Sequence, residues 1–176
     1  DGIISSDSLK AKGDTGLGTF HSLEGEMVYL NGVVYQVKAD GNVYIPKDDI
    51  LIPFAAVCFF SQDTLFNIPK VDSFHSLETK LDSMLITKNH IVCFRIEGEF
   101  SFVKTRSVPA QDKPYKELKY IAATQPVFER ENTRGTIVGF RCPIYVKGIN
   151  VPGYHFHFLS EDKKFGGHLL DFKGEN

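Results

Sequence analysis

Three histidines stand close together near the end of this 176-residue chain, in Tyr154-His-Phe-His-Phe-Leu159 and in Gly166-Gly-His168. On a strand, residues two apart share a face. His155 and His157 therefore project together, while Phe156 and Phe158 go to the opposite side. The polar, glycine-ended segment Ser160–Gly167 suits a hairpin connection. It would return His168 on the neighbouring strand, beside the pair. Three imidazoles on two adjacent strands form the facial set that a catalytic zinc uses, with at least one position left for water or substrate. Neutral imidazole suits zinc, iron, copper or nickel, so ligand type alone does not fix the metal. By itself the pair reads more readily as half-exposed and inert; a third histidine after a hairpin puts ligation on an equal footing. His21, His75 and His90 stand alone in turn or helix contexts and read as surface or packing residues.

Strands must position this set, and the rest of the chain is rich in them. From Thr15 to Lys38, Phe20, Leu23, Met27, Tyr29, Val33, Val34, Tyr35 and Val37 carry the β propensity. Asn31-Gly32, between Met27-Val-Tyr-Leu30 and Val33-Val-Tyr-Gln-Val37, is a hairpin signal, because type I′ turns need positive φ at both central residues. Asp40-Gly41 marks a second turn. A weak helix is expected over Ser5–Lys12 and a buried strand over Leu51–Ser61. The clearest helix runs from Asp72 to Met84, capped by Asp72 or Ser73, with Phe74, Leu77, Leu81 and Leu85 at helical spacing. Ile91–Val103 reads as strand, hairpin bend, strand. A second helix is expected over Tyr115–Ala123, stopped before Pro126. Thr136–Tyr145, Tyr154–Leu159 and His168–Phe172 read as strands. There is no βαβ rhythm and no glycine-rich phosphate loop. The expected class is α+β, with antiparallel or mixed sheets in two lobes, 1–134 and 135–176, meeting near Gly135.

Composition narrows the function. Twenty Lys+Arg against 22 Asp+Glu give a net charge of -2. That leaves no electrostatic footprint for nucleic acid and no polybasic segment for a membrane surface. A small anionic substrate remains possible, since one local arginine can serve it. Cys58, Cys93 and Cys142 are far apart, odd in number and without a CxxC pair. They read as core residues rather than as a disulfide framework or a zinc ligand set. The longest apolar run, Ile50–Phe60, is interrupted by Pro53 and too short to cross a bilayer. No signal peptide is visible, so the cytoplasm is the expected compartment; the chain opens on Asp1, and a preceding segment is also expected.

Several blocks together are recognisable. Arg134-Gly-Thr-Ile-Val-Gly-Phe140, Val151-Pro-Gly-Tyr-His-Phe-His-Phe158 and Gly166-Gly-His-Leu-Leu-Asp-Phe172 closely resemble the acetolactate decarboxylase family. So do Gly16-Leu-Gly-Thr-Phe20 running into Leu23-Glu-Gly-Glu26, and Val103-Lys-Thr-Arg-Ser-Val108 running into Lys113-Pro-Tyr115. They occur in family order and reach from about Gly13 to Phe172.

The resemblance implies a zinc held by His155, His157 and His168, with Glu26 as a ligand or in its immediate surroundings. It also implies Arg106 as the active-site arginine and Thr19 in the same pocket. The implied reaction is loss of carbon dioxide from 2-acetolactate through a zinc-stabilised enediolate to (R)-acetoin, with no organic cofactor, in a homodimer. On residue type alone, Glu26 looks no different from Glu24, Glu97 or Glu99, and Arg106 would pass for a surface charge. Family members continue past the Gly-Gly-His block, and a further carboxylate from that region reaches the metal. The sequence here ends at Glu175-Asn176, so a continuing tail is expected. Two other classes fit the histidines without the surrounding blocks. One is another three-histidine zinc lyase, hydrolase or cupin-like metalloenzyme. The other is a non-catalytic β module with a structural metal, which an open coordination site argues against.

Overall fold

The computed structural model describes residues 1–117, 120–121 and 124–175. Its strands and helices follow the order β1 (Ile4–Ser5), α1 (Ser6–Lys10), β2 (Thr15–Thr19), β3 (Glu26–Leu30), β4 (Val33–Val37), β5 (Val43–Tyr44), β6 (Leu51–Ile52), β7 (Phe54–Cys58), α2 (Phe74–Met84), β8 (Val92–Arg106), β9 (Val127–Cys142), β10 (Gly153–Ser160) and β11 (Gly166–Gly174). Every strand-to-strand pairing among these elements is antiparallel. The α+β class expected from the sequence is the class found.

Two sheets dominate. One has five strands in the order β5-β4-β3-β2-β7; the other closes on itself as a barrel, β10-β11-β8-β9. In the first, Asn31 and Gly32 turn β3 into β4 with φ of 52° and 75°, the positive pair that the Asn-Gly signal requires. Period-2 alternation then sorts β3. Met27 and Tyr29 pack with Leu9, Phe20 and Ile52 on one side. Val28 and Leu30 pack with Val138 and Leu159 of the barrel on the other. Glu26 shares that barrel-facing side.

The barrel buries an aromatic core. Phe100, Phe156, Phe158 and Phe172 meet Ile137, Val103 and Leu169 there, with Leu77 and Leu81 of α2. The rings cross edge to face, as at Phe100–Phe158 (centroids 5.3 Å apart) and Phe100–Phe172 (5.6 Å), the geometry that ring quadrupoles favour. Ser73 caps α2: its side chain accepts from the Ser76 amide, and the Ser76 hydroxyl accepts from the Ser73 amide.

Four expectations differ from the fold. Leu51–Ser61 is not one buried strand: Pro53 separates β6 from β7, and β7 is a half-buried edge. Ile91–Val103 does not bend at its Glu-Gly-Glu. β8 runs straight through it, because β9 pairs with it from Val92↔Arg141 to Arg106↔Val127 and holds it extended. β9 itself begins at Val127, ahead of the expected Thr136, in a stretch too polar to signal a strand. Gly135, where two lobes were expected to meet, falls inside β9. It is a place of close approach: a Cβ there would lie 2.4 Å from the Phe158 ring and 2.6 Å from the Leu159 carbonyl oxygen. The helix expected over Tyr115–Ala123 includes residues 118, 119, 122 and 123, which lie outside the described residues. Among the described residues no helix is long and apolar enough to cross a membrane.

Candidate metal centre

The histidines come together through strand register. His157 of β10 stands directly opposite His168 of β11, and His168 stands directly opposite Arg106 of β8. Opposed residues of an antiparallel pair project to the same face. One row across three strands therefore presents Arg106, His168 and His157 to the same side, with His155 two residues along β10. Phe156 and Phe158, alternating with them, fill the barrel core. The polar connection Ser160–Phe165 makes this register definite. Asp162 accepts from the Ser160 hydroxyl (2.5 Å), the Lys164 amide (3.0 Å) and both guanidinium ends of Arg130 in β9 (3.0 and 2.8 Å).

The five-stranded sheet closes over this face. Glu26 opens β3, directly opposite Thr19 of β2. Its carboxylate oxygen is 3.4 Å from His157 Nε2. The other nitrogen of that ring, Nδ1, donates to the Met27 carbonyl oxygen across 2.7 Å. A carbonyl can only accept, so Nδ1 carries the hydrogen and Nε2 presents a lone pair toward Glu26. The Thr19 hydroxyl donates to the Gly25 carbonyl (2.7 Å) and keeps its lone pairs free to accept. Sheet and barrel thus contribute complementary halves: a carboxylate and a hydroxyl from one, imidazoles and a guanidinium from the other.

The donor set has the chemistry of a divalent-cation site. His155, His157 and His168 each offer a nitrogen, all within 4.8 Å of one another. His155 Nε2 and His168 Nδ1 are 3.2 Å apart. Two donors at ordinary zinc–nitrogen distances on one tetrahedral ion are about 3.3 Å apart, so the 3.2 and 3.4 Å separations match edges of such a polyhedron. Nε2 of His157, Nδ1 of His155 and Nε of Arg106 are buried without any hydrogen-bond partner. Orphaned buried nitrogens are costly; an ion would satisfy His157 Nε2, and a bound anion Arg106 Nε.

Electrostatics point the same way. Burial first, then the Arg106 charge, lowers His155 to about 4. Burial, reinforced by the neighbouring rings and Arg106, holds His157 and His168 well below the ordinary value. All three are neutral at pH 7, the state in which imidazole binds metal. Glu26 is pushed up to about 8 by burial, with Arg106 pulling the other way. A carboxyl so placed has no compensating cation among the described residues except Arg106.

Of the residues singled out in the sequence, the structure gathers His155, His157, His168, Glu26 and Arg106 at one place, with Thr19 beside Glu26. Reading the sequence missed the Met27 carbonyl and the Arg130–Asp162 pair. No sequence signal marks a main-chain acceptor. The Ser160-Glu-Asp162 turn was visible, but not its partner Arg130. His21, His75 and His90 stay outside the cluster; His21 accepts from the Gly2 amide and His75 sits 3.4 Å from Glu78.

The entire chain, residues 1–176, matches the profile of the alpha-acetolactate decarboxylase family. It belongs to that family. A curated alpha-acetolactate decarboxylase of Methanosarcina mazei is 48% identical over 175 residues, covering 99% of this chain and 61% of that protein. The enzyme of the same name from Bacillus subtilis is 38% identical over 172 residues, 98% of this chain and 68% of that protein. The crystal structure of alpha-acetolactate decarboxylase from Bacillus subtilis strain 168 superimposes with a TM-score of 0.93, covering 99% of this chain and 75% of that one. A Staphylococcus aureus protein of unknown function, described as similar to alpha-acetolactate decarboxylase, also gives 0.93 at 28% identity. The chain thus spans about three fifths of the Methanosarcina relative and somewhat more of the others.

Proposed function

We propose that this chain decarboxylates 2-acetolactate to (R)-acetoin and carbon dioxide, using a zinc ion held by His155, His157 and His168, with Glu26 beside it. The observation that carries the reading is the facing of Glu26 and the Arg106–His168–His157 row, with a Glu26 carboxylate oxygen 3.4 Å from His157 Nε2. When bound there, the ion supplies Lewis acidity where negative charge develops on the substrate oxygens.

The chain's own residues take the remaining tasks. Arg106 binds the substrate carboxylate; its buried, partnerless Nε and its planar fork suit two parallel charge-assisted hydrogen bonds. This orients the bond to be broken before carbon dioxide leaves. The electron pair of that bond passes to the neighbouring keto group, leaving an enediolate. Thr19, already committed as donor to Gly25, accepts from the substrate hydroxyl and fixes its rotation. Glu26 handles the proton delivered to carbon. Burial makes its carboxyl a weak acid, with a value near 8, and a cation beside it makes it a stronger one, so the proton becomes transferable near neutrality. Glu26 stands only on the sheet side of the site, so delivery comes from one face and gives one enantiomer, assigned here as R from the family likeness. Walls from barrel and sheet limit water access, which strengthens each of these contacts.

The test is to load the chain with zinc, measure the metal by elemental analysis, supply racemic 2-acetolactate and resolve the acetoin by chiral chromatography. Acetoin enriched in the R form, in proportion to bound zinc, supports the reading. Metal-loaded protein with no acetoin above the uncatalysed rate overturns it.

A further inference from the structure

Next to Arg106, one buried hydroxyl spans the joint between the sheets. Ser107 follows the last residue of β8 and is fully buried. Its amide donates to the Pro126 carbonyl, just ahead of β9, across 3.2 Å. Its hydroxyl donates to the Val37 carbonyl of β4 across 2.6 Å. Val37 is the register partner of Glu26. The next residue repeats the link: the Val108 carbonyl accepts at 2.8 Å from the amide of Gly25, the residue before Glu26. Residues 107 and 108 are thus bonded to the main chain just before Glu26 and directly across from it. The packing leaves little slack. Gly25 has a φ of 84°, and a Cβ there would lie 2.5 Å from the same Val37 oxygen.

We infer that Ser107 is a positioning residue: its bridge to Val37 sets the spacing of Arg106 from Glu26, and through it the rate and the handedness of protonation. The role rests on the proposed decarboxylation, in which the carbon that gives up its carboxylate is the carbon that takes the proton. Arg106 holds the departing group and Glu26 manages the arriving proton. The electron pair of the broken bond passes to the keto oxygen and returns to form the new C–H bond. The two side chains come from different sheets, so links across the joint fix their separation. His157 supplies one on the other side of Glu26, through Met27, but it is anchored in β10 rather than in the strand that bears Arg106. Ser107 spends its one hydroxyl hydrogen on Val37, so it acts through Arg106 and Glu26.

Ser107→Ala removes the hydroxyl and leaves the Val37 oxygen one buried partner short. The Val108–Gly25 bond then holds this end of the joint by itself, and Arg106 gains freedom relative to Glu26. Misplacing reacting groups by about an ångström costs on the order of a hundredfold in rate, and a pair loosened rather than displaced should lose about tenfold. The loss should fall mainly on kcat, because the guanidinium that binds the substrate is still present.

The parent is compared with Ser107→Ala and with a control, Tyr29→Phe, which removes another buried hydroxyl bond farther along β3, to the Gly13 carbonyl at 2.6 Å. In the metal-free chains, amide exchange followed by NMR should be about tenfold faster at Gly25 in Ser107→Ala, measured against amides in the middle of β10. Tyr29→Phe should leave Gly25 at the parent rate. In the zinc-loaded chains given racemic 2-acetolactate, Ser107→Ala should keep its zinc, lose about tenfold in kcat/KM and release acetoin with a smaller R excess. Tyr29→Phe should lower Tm and keep both kcat/KM and the R excess, since a purely structural loss does not touch the product ratio. Parent-like exchange at Gly25 or a parent-like R excess in Ser107→Ala overturns the inference, as does an equal fall of R excess in Tyr29→Phe. A parent that makes no acetoin sinks the decarboxylation reading instead. The exchange comparison then still decides the bridge: faster exchange at Gly25 upholds it and unchanged exchange overturns it.

Discussion

His157 is held by the other sheet: its Nδ1 lies 2.7 Å from the main-chain oxygen of Met27 in β3, although the histidine belongs to β10 of the barrel. The bond fixes the ring's tautomer and orientation, and it ties the barrel to the strand that carries Glu26. A partner behind the ligand is what gives a metal-binding histidine its direction.

Removing His157 should therefore cost stability before any metal is considered. His157→Ala leaves the Met27 carbonyl buried without a donor and opens a cavity, with an expected loss of about 2–4 kcal/mol in the metal-free protein. His155→Ala breaks no bond to the main chain and should cost about 1 kcal/mol or less there. Denaturant unfolding of both metal-free variants is the measurement. Equal losses would show that the Met27 bond contributes nothing.

Arg106 should matter to turnover rather than to metal content. Its Nη2 lies 3.4 Å from His168 Nε2, and its Nε is buried without a partner. Arg106→Lys keeps a charge but loses the planar fork, and kcat/KM for 2-acetolactate should fall by roughly a hundredfold or more. Zinc content should stay at the parent level. Parent-like turnover would remove Arg106 from the reaction.

Legibility followed what each residue's signal depends on. The Asn31-Gly32 hairpin and the His155/His157 pair were readable because turn chemistry and strand alternation are local. His168 was readable because a glycine-ended polar turn returns the chain beside its neighbour. Glu26 and Arg106 were separated from Glu24, Glu97 and Glu99 only by family likeness, since burial is a tertiary property. The straight run of β8 through Glu97-Gly-Glu99 was hidden for the same kind of reason: its pairing with β9 overrides a local preference for a bend. The polar start of β9 carried no apolar rhythm, because its side chains face solvent on much of their length.

Acidity gives a third expectation. Glu26 sits near 8 in the fold against 4.5 unfolded, so the unfolded chain releases that proton first. The Glu26 contribution to the stability of the metal-free protein should fall as pH rises from about 4.5 to 8, by a few kcal/mol in all. The histidines act in the opposite sense. His155 is lowered to about 4 from 6.5, so its contribution is complete above 6.5 and is lost as pH falls toward 4. With three histidines against one carboxyl, the metal-free parent should be most stable near pH 6.5, where the histidine gain ends and only the Glu26 loss continues. Glu26→Gln should flatten the alkaline limb and leave the acid one. Urea midpoints across pH 4–9 for both proteins would decide it; an unchanged alkaline slope in Glu26→Gln counts against a buried carboxyl.

The last expectation concerns Gly139, on β9 behind the histidine strand. A Cβ at this position would lie 2.0 Å from the main-chain oxygen of His155 and 2.7 Å from the Phe156 ring. The ring could turn; the main chain cannot, because the register from Gly153↔Cys142 to Ser160↔Gly135 holds β10 along its whole length. Gly139→Ala must therefore push β10 away by an ångström or so at the residue that bears one imidazole. His155 Nε2 would move off the 3.2 Å approach to His168 Nδ1, while His168, on β11, would stay. Overpacking of this kind costs roughly 1–3 kcal/mol, or about 3–10 °C in Tm for a chain of this size. Metal sites tolerate displaced ligands poorly, so the zinc dissociation constant should rise at least tenfold, a larger relative effect than the loss of stability. Calorimetric zinc titration and thermal unfolding of the same preparation separate the two. Parent-like zinc affinity in a destabilised Gly139→Ala protein would mean that β9 supports the fold without setting the position of His155.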